Sequence, residues 1–77
     1  MQNVTIYSTP SCHFCHLAKD FFQEKNITYT EYDVASDLEK RKEMVEKSGQ
    51  MGVPVIIIGD ELIVGFNEPK IAKLLGL

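Results

Sequence analysis

No cluster of basic residues interrupts this 77-residue chain, whose eight Lys and Arg are scattered among eleven Asp and Glu for a net charge of −3. The electrostatic footprint that a nucleic-acid binder needs is therefore missing, and no nucleic-acid partner is expected. Long apolar runs are missing too. The longest, from Val53 to Ile58 with Pro54 inside it, is far too short to span a bilayer, so no membrane association is expected. No basic segment followed by an apolar stretch opens the chain, and Met1-Gln2-Asn3 passes straight into a strand pattern. Without an export signal the expected compartment is the reducing cytoplasm. Internal repeats, low-complexity stretches and linkers are also absent, so residues 1–77 read as a single domain near the lower size limit for a self-sustaining core. A composition of 44% hydrophobic and 25% charged residues is ordinary for a soluble globular protein.

Cysteine is scarce, and its placement is the most informative feature present. The only two stand in Cys12-His13-Phe14-Cys15, after the β-branched and aromatic run Val4-Thr5-Ile6-Tyr7-Ser8 and the turn residues Thr9-Pro10-Ser11. An amphipathic helical pattern follows at once. In a reducing compartment a Cys-x-x-Cys pair at a strand-to-helix turn reads as a thiol–disulfide redox site. Helical spacing puts the two sulfurs about one turn apart on one face, close enough to bridge. The helix N-terminus beside Cys12 favours its thiolate, the form that attacks disulfides. A purely structural disulfide is disfavoured, because closing so short a loop constrains little of the unfolded chain.

The remaining pattern alternates strands and helices. Asn3 to Ser8 reads as a first strand. Cys12 to Lys25 reads as a helix, with Phe14, Leu17, Ala18, Phe21 and Phe22 on its buried face and Asn26 closing it in a left-handed conformation. Thr28 to Val34 reads as a second strand. Ser36-x-x-Glu39 has the form of a capping box opening a charged surface helix that stops at Gly49. Val55 to Ile58, Gly59-Asp60 and Leu62 to Val64 read as a hairpin with a two-residue turn beginning in Gly. Asn67 then caps a last helix with Pro69 in its first turn and Ile71, Ala72, Leu74 and Leu75 facing inward. The order β-α-β-α-β-β-α predicts a right-handed parallel unit extended by an antiparallel hairpin, with helices covering one sheet.

Three motifs in this order carry a resemblance across essentially the whole chain. Thr9-Pro10-Ser11-Cys12-His13-Phe14-Cys15, Gly52-Val53-Pro54 and Val64-Gly65-Phe66 resemble the glutaredoxins of the thioredoxin superfamily. The resemblance implies a thioredoxin-like α/β fold, with a four-stranded mixed sheet in order 2-1-3-4 flanked by three helices. It implies that Cys12 is the exposed nucleophile and Cys15 the more buried resolving thiol. Pro54 matches the cis-proline loop that faces the cysteines, where the Val53 backbone is offered to a substrate. Glutathione-using members carry a basic residue where Thr9 stands here. They also carry Gly-Gly-x-Asp where this chain reads Gly65-Phe66-Asn67-Glu68. Gly65-Phe66 and the segment from Ser48 to Pro54 instead resemble the redoxins that feed ribonucleotide reductase and related small glutaredoxin-like proteins. For these the resemblance implies electrons from a thioredoxin-reductase-type flavoprotein, so the expected electron donor of this chain is either such a flavoprotein or glutathione. The expected partners are disulfide-bearing proteins, ribonucleotide reductase and peroxiredoxins among them, and the chain is expected to act as a monomer without a metal or organic cofactor.

Other readings of these residues stay in view. Cys12-His13-Phe14-Cys15-His16 satisfies the C-x-x-C-H pattern of covalent haem attachment, which would need export and a helical chain around the porphyrin. A zinc site built from the two cysteines and two histidines fails because ligands on consecutive turns of one helix cannot surround an ion tetrahedrally. An iron–sulfur carrier is the alternative from another functional class, although family members of that kind generally keep a single cysteine followed by a small residue. His13 either lowers the pKa of Cys12 as a neighbouring cation or stands solvated in the first turn. Phe14 and Phe21 are expected in the core, while Phe66 reads equally as rim or core. Gln50, in the loop before Pro54, is a candidate for polar contact with a partner, and Thr9, Pro10, His13, Val53, Pro54, Gly65, Phe66 and Asn67 in the motif segments are the other residues expected to bind substrate.

Overall fold

The computed structural model describes residues 3–77; Met1 and Gln2 lie outside the described residues. The elements are β1 (Val4–Ser8), α1 (His13–Glu24), β2 (Thr30–Asp33), α2 (Leu38–Ser48), β3 (Val55–Ile58), β4 (Glu61–Val64) and α3 (Glu68–Leu75). The strands form one sheet in the order β2-β1-β3-β4. β1 and β2 run parallel, with Tyr7 opposite Tyr32, while β3 is antiparallel to both β1 and β4. Element order, strand order and strand direction all agree with the sequence-based expectation of a thioredoxin-like fold.

Side-chain alternation along the strands sorts the core into two layers. Val4 and Ile6 of β1, Ile56 and Ile58 of β3 and Ile63 of β4 face Ala18, Phe21 and Phe22 of α1 and Ile71 of α3. Tyr7 and Val55 point the other way, onto Met44 of α2 and Val34. The run Val55-Ile56-Ile57-Ile58 is apolar throughout because helices cover both faces of its strand. Positive backbone φ stops the chain where expected, at Asn26 (58°) after α1 and at Gly49 (73°) after α2.

Three local expectations are corrected. β2 is four residues long, not seven, because the chain arrives at the sheet only at Thr30 and turns away after Asp33. Asp37, not Ser36, caps α2, its Oδ1 accepting the Lys40 amide at 3.1 Å. The turn after β2 explains this. Asp33 Oδ1 accepts the Ala35 amide, and the Ser36 hydroxyl donates back to the Asp33 carbonyl, leaving Asp37 as the free acceptor. Phe14 is 57% exposed and Leu17 is also exposed. The buried stripe of α1 consists of Cys15, Ala18, Phe21 and Phe22, and helical spacing does not separate the first turn, which leads out of the cysteine loop, from the turns lying over the sheet.

Candidate active site

Strand order brings three loops to one end of the sheet. Tyr7 pairs with Val55, so the segment leaving β1 toward Cys12 lies beside the segment Val53-Pro54 that enters β3. Val55 pairs with Val64, and the Gly65 amide donates to the Pro54 carbonyl at 2.8 Å, which places the end of β4 beside the same proline. The Val53–Pro54 peptide bond is cis, as the resemblance implies. Pro54 is buried and Val53 half-buried.

Cys12 is the N-cap of α1, in extended backbone conformation, and its amide donates to the Thr9 carbonyl at 3.2 Å. Its Sγ accepts the Cys15 amide at 3.1 Å. Cys12 and Cys15 are joined by a disulfide with Cα atoms 5.2 Å apart. Their surroundings differ. Cys15 is 0% exposed on the buried stripe of the helix, while Cys12 is half-open to solvent. A sulfur at a helix N-terminus that already receives a backbone N–H is one whose negative charge is favoured when the bond opens.

The other candidate residues take distinct places. His13 and Phe14 both stand exposed in the first turn, their rings edge-to-face with centroids 5.5 Å apart. Thr9 is half-buried and serves the turn through its carbonyl, and Pro10 is exposed. Gln50 turns its amide onto its own loop. Its Nε2 donates to Ser48 Oγ and to the Gly52 carbonyl, and its Oε1 accepts the Gly52 amide. Phe66 is half-buried, packing on the α1 side of the core with its ring centroid 5.9 Å from that of Phe21. Asn67 caps α3, accepting the Lys70 amide at 3.3 Å.

Sequence reading missed a polar cluster beneath the cysteine helix. Ser8 is buried, and its hydroxyl donates to Glu31 Oε2 at 2.7 Å. Lys19, one turn beyond Cys15, reaches the same oxygen at 2.8 Å. The Lys19 hydrogen bond, followed by that of Ser8, holds the Glu31 carboxyl below the usual carboxylate range. The available signal was Ser8 itself, a polar residue on the inward phase of β1 two positions after Ile6. On the opposite face the buried Tyr7 hydroxyl donates to Glu43 Oε2, and burial first, then that bond, pushes the phenol well above its ordinary range.

A thioredoxin-like sheet carrying a bridged Cys-x-x-Cys at the N-cap of its first helix defines a thiol–disulfide oxidoreductase. The glutaredoxin family model matches residues 4–63, and the chain belongs to the glutaredoxin family. It is 46% identical over 72 residues to a glutaredoxin-like 8.6 kDa protein of the rubredoxin operon of Clostridium pasteurianum, covering 94% of this chain and 96% of that one. It is 35% identical over 68 residues to glutaredoxin 3 of Escherichia coli, covering 88% and 82%. Among solved structures, the glutaredoxin-like NrdH-redoxin of Escherichia coli, described as having a thioredoxin-like activity profile, superposes with a TM-score of 0.82 at 28% identity, covering 94% and 93%.

Proposed function

We propose that this protein is a cytoplasmic electron carrier that reduces disulfides in partner proteins and is itself recharged by a thioredoxin-reductase-type flavoprotein rather than by glutathione. The Cys12 thiolate attacks one sulfur of a substrate disulfide, forming a mixed disulfide and releasing the other substrate sulfur as a thiolate. Cys15, deprotonated, then attacks the Cys12 sulfur, so the Cys12–Cys15 bond forms and the second substrate thiolate leaves. Two electrons pass to the substrate, whose thiolates take up protons from solvent. The unequal exposure of the two cysteines supports this division of roles. The Val53 backbone, entering β3 beside the cysteine loop, suits main-chain pairing with an extended substrate segment.

The single observation that carries the choice of electron donor is the placement of Phe66. Glutathione-using relatives keep a glycine at this point beside the tripeptide; here a phenyl ring is anchored against Phe21 and the core. Thr9, at the cysteine turn, offers no positive charge to a glutathione carboxylate. Losing one charge-assisted contact costs about 1.5–3 kcal/mol, or roughly ten- to a hundredfold in affinity. The similarity to NrdH-redoxin supports the same reading and makes a ribonucleotide reductase a candidate substrate class. Steady-state reduction should be measured side by side with NADPH plus the flavoprotein and with millimolar glutathione plus glutathione reductase. Fast turnover with the first and weak turnover with the second is expected. The reverse ranking overturns the proposal.

A further inference from the structure

His16 completes a Cys-x-x-Cys-His sequence and takes no part in the thiol steps, yet its imidazole is engaged. Nε2 lies 2.9 Å from the carbonyl oxygen of Pro10. A carbonyl oxygen only accepts, so Nε2 carries the proton in this contact. The geometry follows from helix rules. His16 stands four residues after Cys12 and hence on its face, and helical side chains lean back toward the N-terminus. The backbone amide of the same residue donates to the Cys12 carbonyl at 3.2 Å. With the Cys15 amide on Cys12 Sγ, these three hydrogen bonds tie α1 to the segment Pro10–Cys12, and His16 supplies two of them.

We infer that His16 is a positioning residue, a clamp that holds the Pro10–Cys12 loop so that the Cys12 sulfur stays at the helix N-cap once the disulfide opens. In the oxidised protein the Cys12–Cys15 bond already fixes Cys12 to the helix, and the clamp adds little. In the reduced protein that covalent staple is gone. The field and free N–H groups of a helix end act only within the first turn, so stabilisation of the thiolate depends on the loop remaining where it is. The clamp therefore favours the reduced, thiolate form over the oxidised one. Its loss raises the pKa of Cys12 and shifts the dithiol–disulfide equilibrium toward the disulfide.

The test uses the full chain with His16→Ala, which removes the ring, and His16→Gln, which keeps an N–H near the position of Nε2 without the capacity to become a cation. His16 is exposed and Ala is the strongest helix former, so both variants should fold, as thermal unfolding will verify. His16→Ala is expected to slow iodoacetamide alkylation of Cys12 at pH 6 by about two- to tenfold, the equilibrium worth of one intramolecular hydrogen bond. It should shift the equilibrium in a glutathione redox buffer toward the disulfide by a similar factor. His16→Gln is expected to return both quantities to near the native values. Native behaviour of His16→Ala overturns the inference. So does an equal loss in both variants, which assigns the effect to the charge of the imidazole and not to its hydrogen bond.

Discussion

The Gly65 amide and the Pro54 carbonyl meet at 2.8 Å, one step beyond the Val55–Val64 pair that ends the β3–β4 ladder. That bond fastens the loop carrying Phe66 to the Val53-Pro54 segment that enters β3 beside the cysteine loop.

The two cysteines are expected to behave unequally in substrate trapping. Cys12→Ser should abolish disulfide reduction, because the half-exposed sulfur at the N-cap is lost. Cys15→Ser should accumulate mixed disulfides with partner proteins, since nothing then attacks the Cys12 sulfur. Non-reducing gels of cell extracts after thiol quenching read the difference directly. Adducts on the Cys12→Ser variant and none on Cys15→Ser would reverse the assignment.

Donor preference should follow Thr9 and Phe66, two of the positions at which the chain departs from the glutathione-using pattern. Thr9→Lys with Phe66→Gly should raise turnover with glutathione by roughly ten- to a hundredfold, the worth of one restored charge-assisted contact. Coupled assays with glutathione reductase provide the measurement. An unchanged glutathione rate in the folded double variant would remove Thr9 and Phe66 from the account of specificity.

Stability should carry a signature of Glu31. Its folded-state pKa is depressed by Lys19 and Ser8, so its contribution is present above the ordinary carboxylate pKa. That contribution is lost as the pH falls through the depressed folded value. Glu31→Gln should accordingly lower the melting temperature at pH 7, and the gap to the native protein should narrow as the pH falls below the ordinary carboxylate range. Thermal unfolding across that range checks it, and a gap that widens in acid would contradict the sign.

Met44 is the sole buried residue of the charged helix α2, and its removal should test how that helix is held. Met44→Ala is expected to cost about 2–5 kcal/mol, the range for truncating a buried large aliphatic side chain. Leu38→Ala, at a position 70% exposed on the same helix, should cost far less. Denaturant titrations of both variants give the comparison.

Much of this architecture was legible because it is written in local signals. The apolar Val55–Ile58 run followed by Gly59-Asp60 marked one arm of a hairpin, and Asn26, Gly49 and Gly59 marked turns where the backbone takes positive φ. The convergence of the Cys12, Pro54 and Gly65 loops follows from the strand order, which came from the family resemblance and not from local pattern. Contacts between residues distant in sequence were not legible. The bond from Ser8 to Glu31 exists only because parallel β1 and β2 share a particular register, which no local pattern encodes. The cap at Asp37 was misplaced because Ser36 and Asp37 are both good N-caps, and the turn at Asp33 decides between them. Phe14 was misplaced because period alone does not tell an apolar first turn beside a reactive loop from an apolar turn over the sheet.

The central claim is that Cys12, held at the N-cap of α1, is the attacking thiolate and Cys15 the sheltered partner. Brief alkylation of the freshly reduced protein at pH 6, followed by peptide mass spectrometry, tests this most directly. A thiol with an unperturbed pKa near 8.5 is almost entirely protonated there, whereas one at a helix N-terminus is substantially ionised. The label is expected on Cys12 well before Cys15. Equal labelling, or labelling of Cys15 first, would contradict the account.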